Sequence, residues 1–165
     1  MDIHYIPIGE KMEPITKFRG QYAFLSNFYT IKKTTVRGRN GIEYEGLWYP
    51  SVEHAYQAAK TLNKSVRRIV ASANTPVVAK RMGKCLVLRP DWEEAKLGIM
   101  ELLLRQKFSK PNLSEALLST GDAELIEGNW WHDEYWGVCN GKGENHLGRL
   151  LMKLRKELQD GIFHI

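Results

Sequence analysis

The chain has 165 residues, a net charge of +5 and a pI near 9.2, with 43% hydrophobic and 26% charged residues. Those values exclude a disordered or polybasic polypeptide and describe one globular domain, 1–165, large enough for a core of its own. The charge is too mild and too scattered to announce a grip on nucleic acid, though it tolerates phosphate-bearing ligands.

Other absences narrow the classes further. Cys85 and Cys139 lie far apart without neighbouring ligand pairs, which argues against a disulfide scaffold or a zinc site, and no metal is expected. The N-terminus lacks the basic and apolar regions of a leader, and no apolar run is long enough to span a bilayer, so a cytoplasmic protein without membrane contact is the expectation.

In chain order, the first dozen residues show no period and read as a short arm. A strand is expected over 15–18, ended by Gly20. Residues 22–29 are dense in aromatics around a polar Ser26-Asn27 pair, a pattern that usually means buried core near an edge and also suits a pocket wall. Residues 29–36 and 42–49 are rich in β-branched and aromatic side chains and flank Asn40-Gly41, a strong hairpin signal, so a small antiparallel sheet is expected there.

Pro50 and Ser51 then open a helix, with Ser51 as its cap. At 100° per residue Glu53, Gln57 and Lys60 fall on one face, and Ala55, Ala59 and Leu62 on another. The polar face is either a solvated surface or one wall of a site. Helices are expected over 64–73, from Pro76 to a stop at Gly83, from Asp91 to about Phe108 with Trp92, Ala95, Ile99, Leu102 and Leu103 at core spacing, and over 113–118. A short strand follows over 124–127. A last helix from Leu147 carries Leu150, Leu151, Leu154 and Leu158 inward.

The stretch 129–148 is harder to read as scaffold. It holds Trp130, Trp131, Tyr135 and Trp136 beside Asp133, Glu134 and four glycines. Loops seldom keep so many aromatics unless they build a site. Gly141 and Gly143 would let backbone N–H groups approach a ligand, and the N-terminus of the last helix would attract phosphate.

Several blocks together resemble a known family. Tyr49-Pro50-Ser51-Val52-Glu53-His54-Ala55-Tyr56-Gln57-Ala58-Ala59-Lys60 is similar to the signature of the NADAR superfamily of YbiA-like or RibX-like proteins. So are Phe24-x-Ser26-Asn27-Phe28, Pro76-x-x-Ala79-Lys80-x-x-Gly83, Arg89-x-Asp91-Trp92 with Met100 and Lys107-Phe108, Thr120-Gly121-Asp122, Asp133-x-x-Trp136-Gly137 and Gly141-x-Gly143-x-Asn145-x-Leu147-Gly148. The resemblance spans residues 18–158. Tyr49, where many relatives carry Trp, and Thr61, where an aromatic often follows, depart from it.

The resemblance implies an α+β fold, mainly helical with a small antiparallel sheet, and an N-glycosidase that uses no cofactor. Implied substrates join C1′ of a (phospho)ribose or ADP-ribose to an N-linked heterocycle, either ADP-ribosyl-guanine, free or in nucleic acid, or early riboflavin-pathway intermediates. No obligate protein partner is implied.

Glu53, Lys60 and Asp133 are the candidate catalytic residues. The carboxyl groups would move protons, as in glycosidases generally. Lys60, desolvated among Trp48, Tyr56 and Trp136, would form a Schiff base at C1′. A Lys60 that merely pairs with either acid is the plainer alternative. Arg19 and Asn27 are candidates for sugar or phosphate oxygens, Gly143 with Asn145 for a pyrophosphate, and Trp136 for stacking. Ser26, Phe28, Trp48, Tyr49, His54, Gln57 and Gly137 complete the expected binding set, with His54 read as a satisfied core or supporting residue rather than a base. The alternative from another class is a non-catalytic module that binds ADP-ribose or NAD.

Overall fold

The computed structural model describes residues 12–31 and 41–165. The expected N-terminal arm, and the hairpin at Asn40-Gly41 with its leading strand, fall wholly or mostly outside that range. The described part is α+β and mainly helical, with seven helices including one 3₁₀ helix, an antiparallel hairpin and a short parallel pair.

Residues 15–18 contribute only an isolated bridge, in which Ile15 pairs in parallel with Leu125. The aromatic segment that follows is partly a 3₁₀ helix, Gly20–Leu25, with Leu25 fully buried. The expected strand over 42–49 is itself a hairpin: β1 (Ile42–Tyr44) pairs antiparallel with β2 (Leu47–Tyr49). Glu45 and Gly46 make its two-residue turn with φ of 47° and 82°. Positive φ at both positions matches the twist of the flanking strands.

Helix α1 (Val52–Ala59) is the centre of the fold, because all eight of its residues are buried. The Ser51 hydroxyl caps it by accepting from His54 N at 3.3 Å, a contact worth about 1 kcal/mol. Around it pack α2 (Lys64–Ala71), α3 (Pro76–Lys84), α4 (Trp92–Phe108) and the hairpin. Asn63 and Thr75 cap α2 and α3 through their side chains.

Two expected core positions point outward. Leu62, beyond the end of α1, is no longer on its helical register and is 59% exposed; Leu102 of α4 is 43% exposed, while its neighbours Leu103 and Leu104 are fully buried. Helix α3 passes Gly83 and ends at Lys84. Gly83 is there for packing, since a Cβ would collide with the Gln57 amide on α1.

Helix α5 (Pro111–Leu118) and α6 (His146–Gln159) close the far side, with Leu147, Leu150, Leu151 and Leu154 buried as their spacing predicts. Between them, β3 (Gly128–Asn129) and β4 (Val138–Cys139) pair in parallel and pin the two ends of the aromatic loop together. No described helix is long and apolar enough to cross a membrane.

Candidate active site

Helix α1 presents its polar face to a cavity of about 280 Å³ that the aromatic loop closes from the other side. Glu53, Gln57 and Lys60 line it from α1, Asp133 and Trp136 from the loop, and Ser26, Asn27 and Phe28 from the segment after the 3₁₀ helix. Three chain regions that are distant in sequence thus meet at one space.

Glu53 is placed by its backbone. Its N–H donates to Asn27 O at 3.0 Å, which ties the first turn of α1 to the Ser26-Asn27 wall. Its carboxylate accepts from Gln57 Nε2 at 2.8 Å. Burial raises its pKa, opposed by the Gln57 hydrogen bond and by the charges of Lys80 and Lys60. A carboxyl in such a setting holds a proton more readily than one in water.

Lys60 is the C-cap of α1, and its ammonium sits 5.8 Å from the Tyr56 ring and 6.0 Å from the Trp92 ring. Trp92 and Tyr56 are the rings that desolvate it. Trp48 does not: it lies on β2 opposite Glu43, 40% exposed and away from the cavity. Burial pushes the Lys60 pKa down, Glu53 opposes this, and Lys80 and Lys84 add to it. Among the described residues the Lys60 ammonium has no ion-pair or hydrogen-bond partner, so the plain salt bridge with Glu53 or Asp133 is not formed.

Asp133 is held by a turn of its own making. Its Oδ1 accepts from Trp136 N at 2.8 Å, while Asn129 accepts from Asp133 N at 3.0 Å and donates to its carbonyl at 2.7 Å. Trp136 Nε1 donates to Tyr56 Oη at 3.2 Å, and the two rings meet edge to face at 5.4 Å. The loop is therefore latched to α1 at the point where both contribute to the cavity.

Several residues of the expected binding set lie elsewhere. His54 is a structural residue: Nδ1 accepts from the Ser51 hydroxyl at 2.8 Å and Nε2 donates to Ala73 O at 3.0 Å. Burial lowers its pKa, in keeping with a neutral ring that joins α1 to the end of α2. Tyr49 is fully buried in the core with its pKa pushed up to about 12 by burial. Arg19 lines a neighbouring cavity instead of this one.

Gly137 and Gly143 of the glycine-rich segment are required by packing. A Cβ on Gly143 would collide with Gly137 O, and one on Gly137 with Glu127 O. The first N–H groups of α6 are already spent, with Asn145, His146 and Leu147 donating to Gly137, Tyr135 and Trp136 carbonyls. Those three N–H groups are not available to a phosphate. Asn145, at φ 52°, accepts from Glu127 N at 3.0 Å and donates to Leu125 O at 2.9 Å.

The cavity also holds groups that the sequence reading left out of the site. Lys80 of α3 lines it with its ammonium 5.6 Å from the Phe28 ring and 5.3 Å from the Trp131 ring. Lys96 stands 4.0 Å over the Tyr135 ring. Glu127, just before β3, is a third carboxyl group at the same space. Lys80 had a signal in the Ala79-Lys80 block: Ala79 is fully buried, which brings the next side chain to the cavity edge. Glu127 had none beyond its place at the end of an expected strand. Among the described residues, no group of three or more His, Cys, Asp or Glu could hold a metal ion.

The chain is similar to proteins already known. The NADAR domain model matches residues 16–159. The chain is 41% identical over 121 residues to the N-glycosidase YbiA of Shigella boydii, covering 71% of this chain and 75% of that protein. It is 36% identical over 128 residues to an N-glycosidase of Nostoc punctiforme, covering 73% and 81%. Against a riboflavin biosynthesis protein of Vibrio vulnificus it is 35% identical over 143 residues, 84% of this chain but 36% of that one. The NMR structure of the Escherichia coli protein YbiA superimposes with a TM-score of 0.71 at 35% identity, covering 96% of this chain and 94% of that one. The family match spans the hairpin, α1, the aromatic loop and α6 together, and on that ground the chain belongs to the NADAR family.

Proposed function

We propose that this protein is an N-glycosidase that hydrolyses the bond between C1′ of a ribosyl phosphate or ADP-ribose and an N-linked heterocycle. The observation that carries this reading is the convergence of Glu53, Lys60 and Asp133 on one cavity, with the amine unpaired among the described residues and the Glu53 carboxyl buried. The names of the relatives from Shigella and Nostoc support the activity. The riboflavin biosynthesis relative from Vibrio favours a ribosylamino-pyrimidine phosphate as substrate, with ADP-ribosyl-guanine the other candidate.

Cleavage needs a route for charge at C1′ and protons for the groups that leave it. In the favoured route the ribose ring opens and the neutral Lys60 amine attacks C1′. The heterocycle departs with the bonding electrons and a proton, leaving a lysine Schiff base. Water then adds to that carbon, releasing the sugar aldehyde and regenerating the amine. Glu53 and Asp133 carry protons to the ring oxygen and from the water. The depressed pKa of Lys60 keeps a larger fraction in the nucleophilic form.

A module that only binds ADP-ribose or NAD would present cations and N–H donors to the diphosphate. This cavity instead interleaves Glu53, Asp133 and Glu127 with Lys60, Lys80 and Lys96, an arrangement suited to moving protons. The test offers purified protein a ribosylaminopyrimidine 5′-phosphate and an oligonucleotide bearing ADP-ribosyl-guanine, and follows released base by chromatography. Calorimetry with ADP-ribose runs alongside. Release from either substrate is the expected result; tight ADP-ribose binding with no release from either would leave the binding module standing.

A further inference from the structure

Glu127 is the carboxyl group at the cavity that the fold explains least. Its N–H donates to Asn145 Oδ1 at 3.0 Å, and its carbonyl accepts from Val138 N at 2.9 Å. Gly137 is pressed so close to its carbonyl and Cγ that any Cβ there would collide. Backbone and side-chain root are thus clamped by the same loop that supplies Asp133 and Trp136.

The carboxyl end is not clamped. Oε2 is buried with no hydrogen-bond partner, and among the described residues no cation lies within ion-pair distance of it. Lys107, fully buried nearby, spends its ammonium on Ser26 O at 2.7 Å. A buried carboxyl that served only the fold would be paired or replaced by an apolar group, because an unpaired one costs stability. Glu127 also stands at a boundary. It lines both the catalytic cavity and an adjoining one of about 630 Å³, together with Ser26, Phe28 and Trp131.

The Phe28 and Trp131 side chains, two aromatic surfaces on which a heterocycle can stack, line both cavities with Glu127. We propose that Glu127 is a further catalytic residue, the general acid that protonates the departing heterocycle. As the C1′–N bond breaks, its electron pair stays on the heterocycle nitrogen and takes the Glu127 proton. The carboxylate left behind is reprotonated from the water that releases the sugar from Lys60. This division of labour rests on the N-glycosidase reading and deepens it. Glu53 and Asp133 then attend to the ring oxygen and the water.

The carboxyl is in the right state to do this. Burial raises its pKa to about 7, and the charges of Asp133 and Glu53 push the same way against Lys80 and Lys107. A general acid works best with a pKa near the operating pH.

The experiment compares wild type, Glu127→Gln and Glu127→Ala with whichever of the two substrates above the wild type cleaves. Glu127→Gln is expected to lose about 10²- to 10⁴-fold in kcat. The break near pH 7 that Glu127 imposes on the wild-type pH–rate profile should vanish. Added formate should restore part of the activity in Glu127→Ala, where the side chain has been vacated, but not in Glu127→Gln. Activity of Glu127→Gln within threefold of wild type would overturn the proposal. So would a loss with an unchanged pH profile and no formate rescue, which marks a merely structural residue. Absence of base release by the wild type would overturn the N-glycosidase reading itself, and the role of Glu127 with it.

Discussion

Helices α1 and α6 both begin beside the aromatic loop, yet they use their first turns in opposite ways. At α1 the backbone is satisfied by Ser51 and Asn27 O, which frees the side chains of Glu53, Gln57 and Lys60 to face a cavity. At α6 the N–H groups are consumed by the carbonyls of Tyr135, Trp136 and Gly137, and Asn145 spends its side chain on residues 125 and 127. One helix start opens a polar face onto the cavity, and the other is a clamp that holds the loop in place. A glycine-rich loop before a helix is therefore no phosphate site until its N–H groups are shown to be free.

Lys60 closes the polar face that begins at the start of α1. Lys60→Ala should lower base release by at least about 10²-fold, since it removes the proposed nucleophile while leaving the capped start of α1 intact. Thermal unfolding should move little, because the ammonium holds no partner among the described residues. A variant with full activity would mean that α1 is only a wall.

Next in size is Asp133→Asn. The new amide oxygen can still accept from Trp136 N, so the turn survives while the charge is lost. Activity should fall about 10²- to 10⁴-fold with the melting temperature nearly unchanged. A large loss of stability with modest loss of rate would place Asp133 on the clamp side of the comparison.

Asn145→Ala probes the clamp directly. It strands Glu127 N and Leu125 O and puts alanine at a φ of 52°. The expected cost is about 2–5 kcal/mol by chemical denaturation. Substrate KM should change less than stability does, because Asn145 does not line the cavity. A selective rise in KM without destabilisation would restore Asn145 as a phosphate ligand. The smallest effect belongs to Trp48→Ala, on the more exposed side of β2: a loss of about 1–2 kcal/mol in stability, because more than half of the indole is covered, and no change in kcat/KM.

The legible part of the site was the part written on helices. The period of α1 put Glu53, Gln57 and Lys60 on one face, and capping residues marked the starts of α1, α2 and α3. Residues whose role depends on what lies across a gap were not legible. Trp48 and Tyr49 sit beside the α1 signature in sequence, but strand alternation sends one to solvent and the other into the core. Lys80 reaches the cavity because α3 packs on α1, and Glu127 because Asn145 holds the strand end; of the two only Lys80 carried a local signal, in the Ala79-Lys80 block. The turn at Glu45-Gly46 was missed for another reason: the stronger Asn40-Gly41 signal nearby took the hairpin assignment.

The central claim is that the amine of Lys60 bonds to the sugar during turnover. Sodium borohydride added to protein that is releasing base would reduce the Schiff base, and mass spectrometry of the digest would locate it. The account predicts one ribose-derived adduct on the peptide containing Lys60, absent without substrate. An adduct on Lys80 instead, or undiminished turnover with no adduct on any lysine, would contradict it.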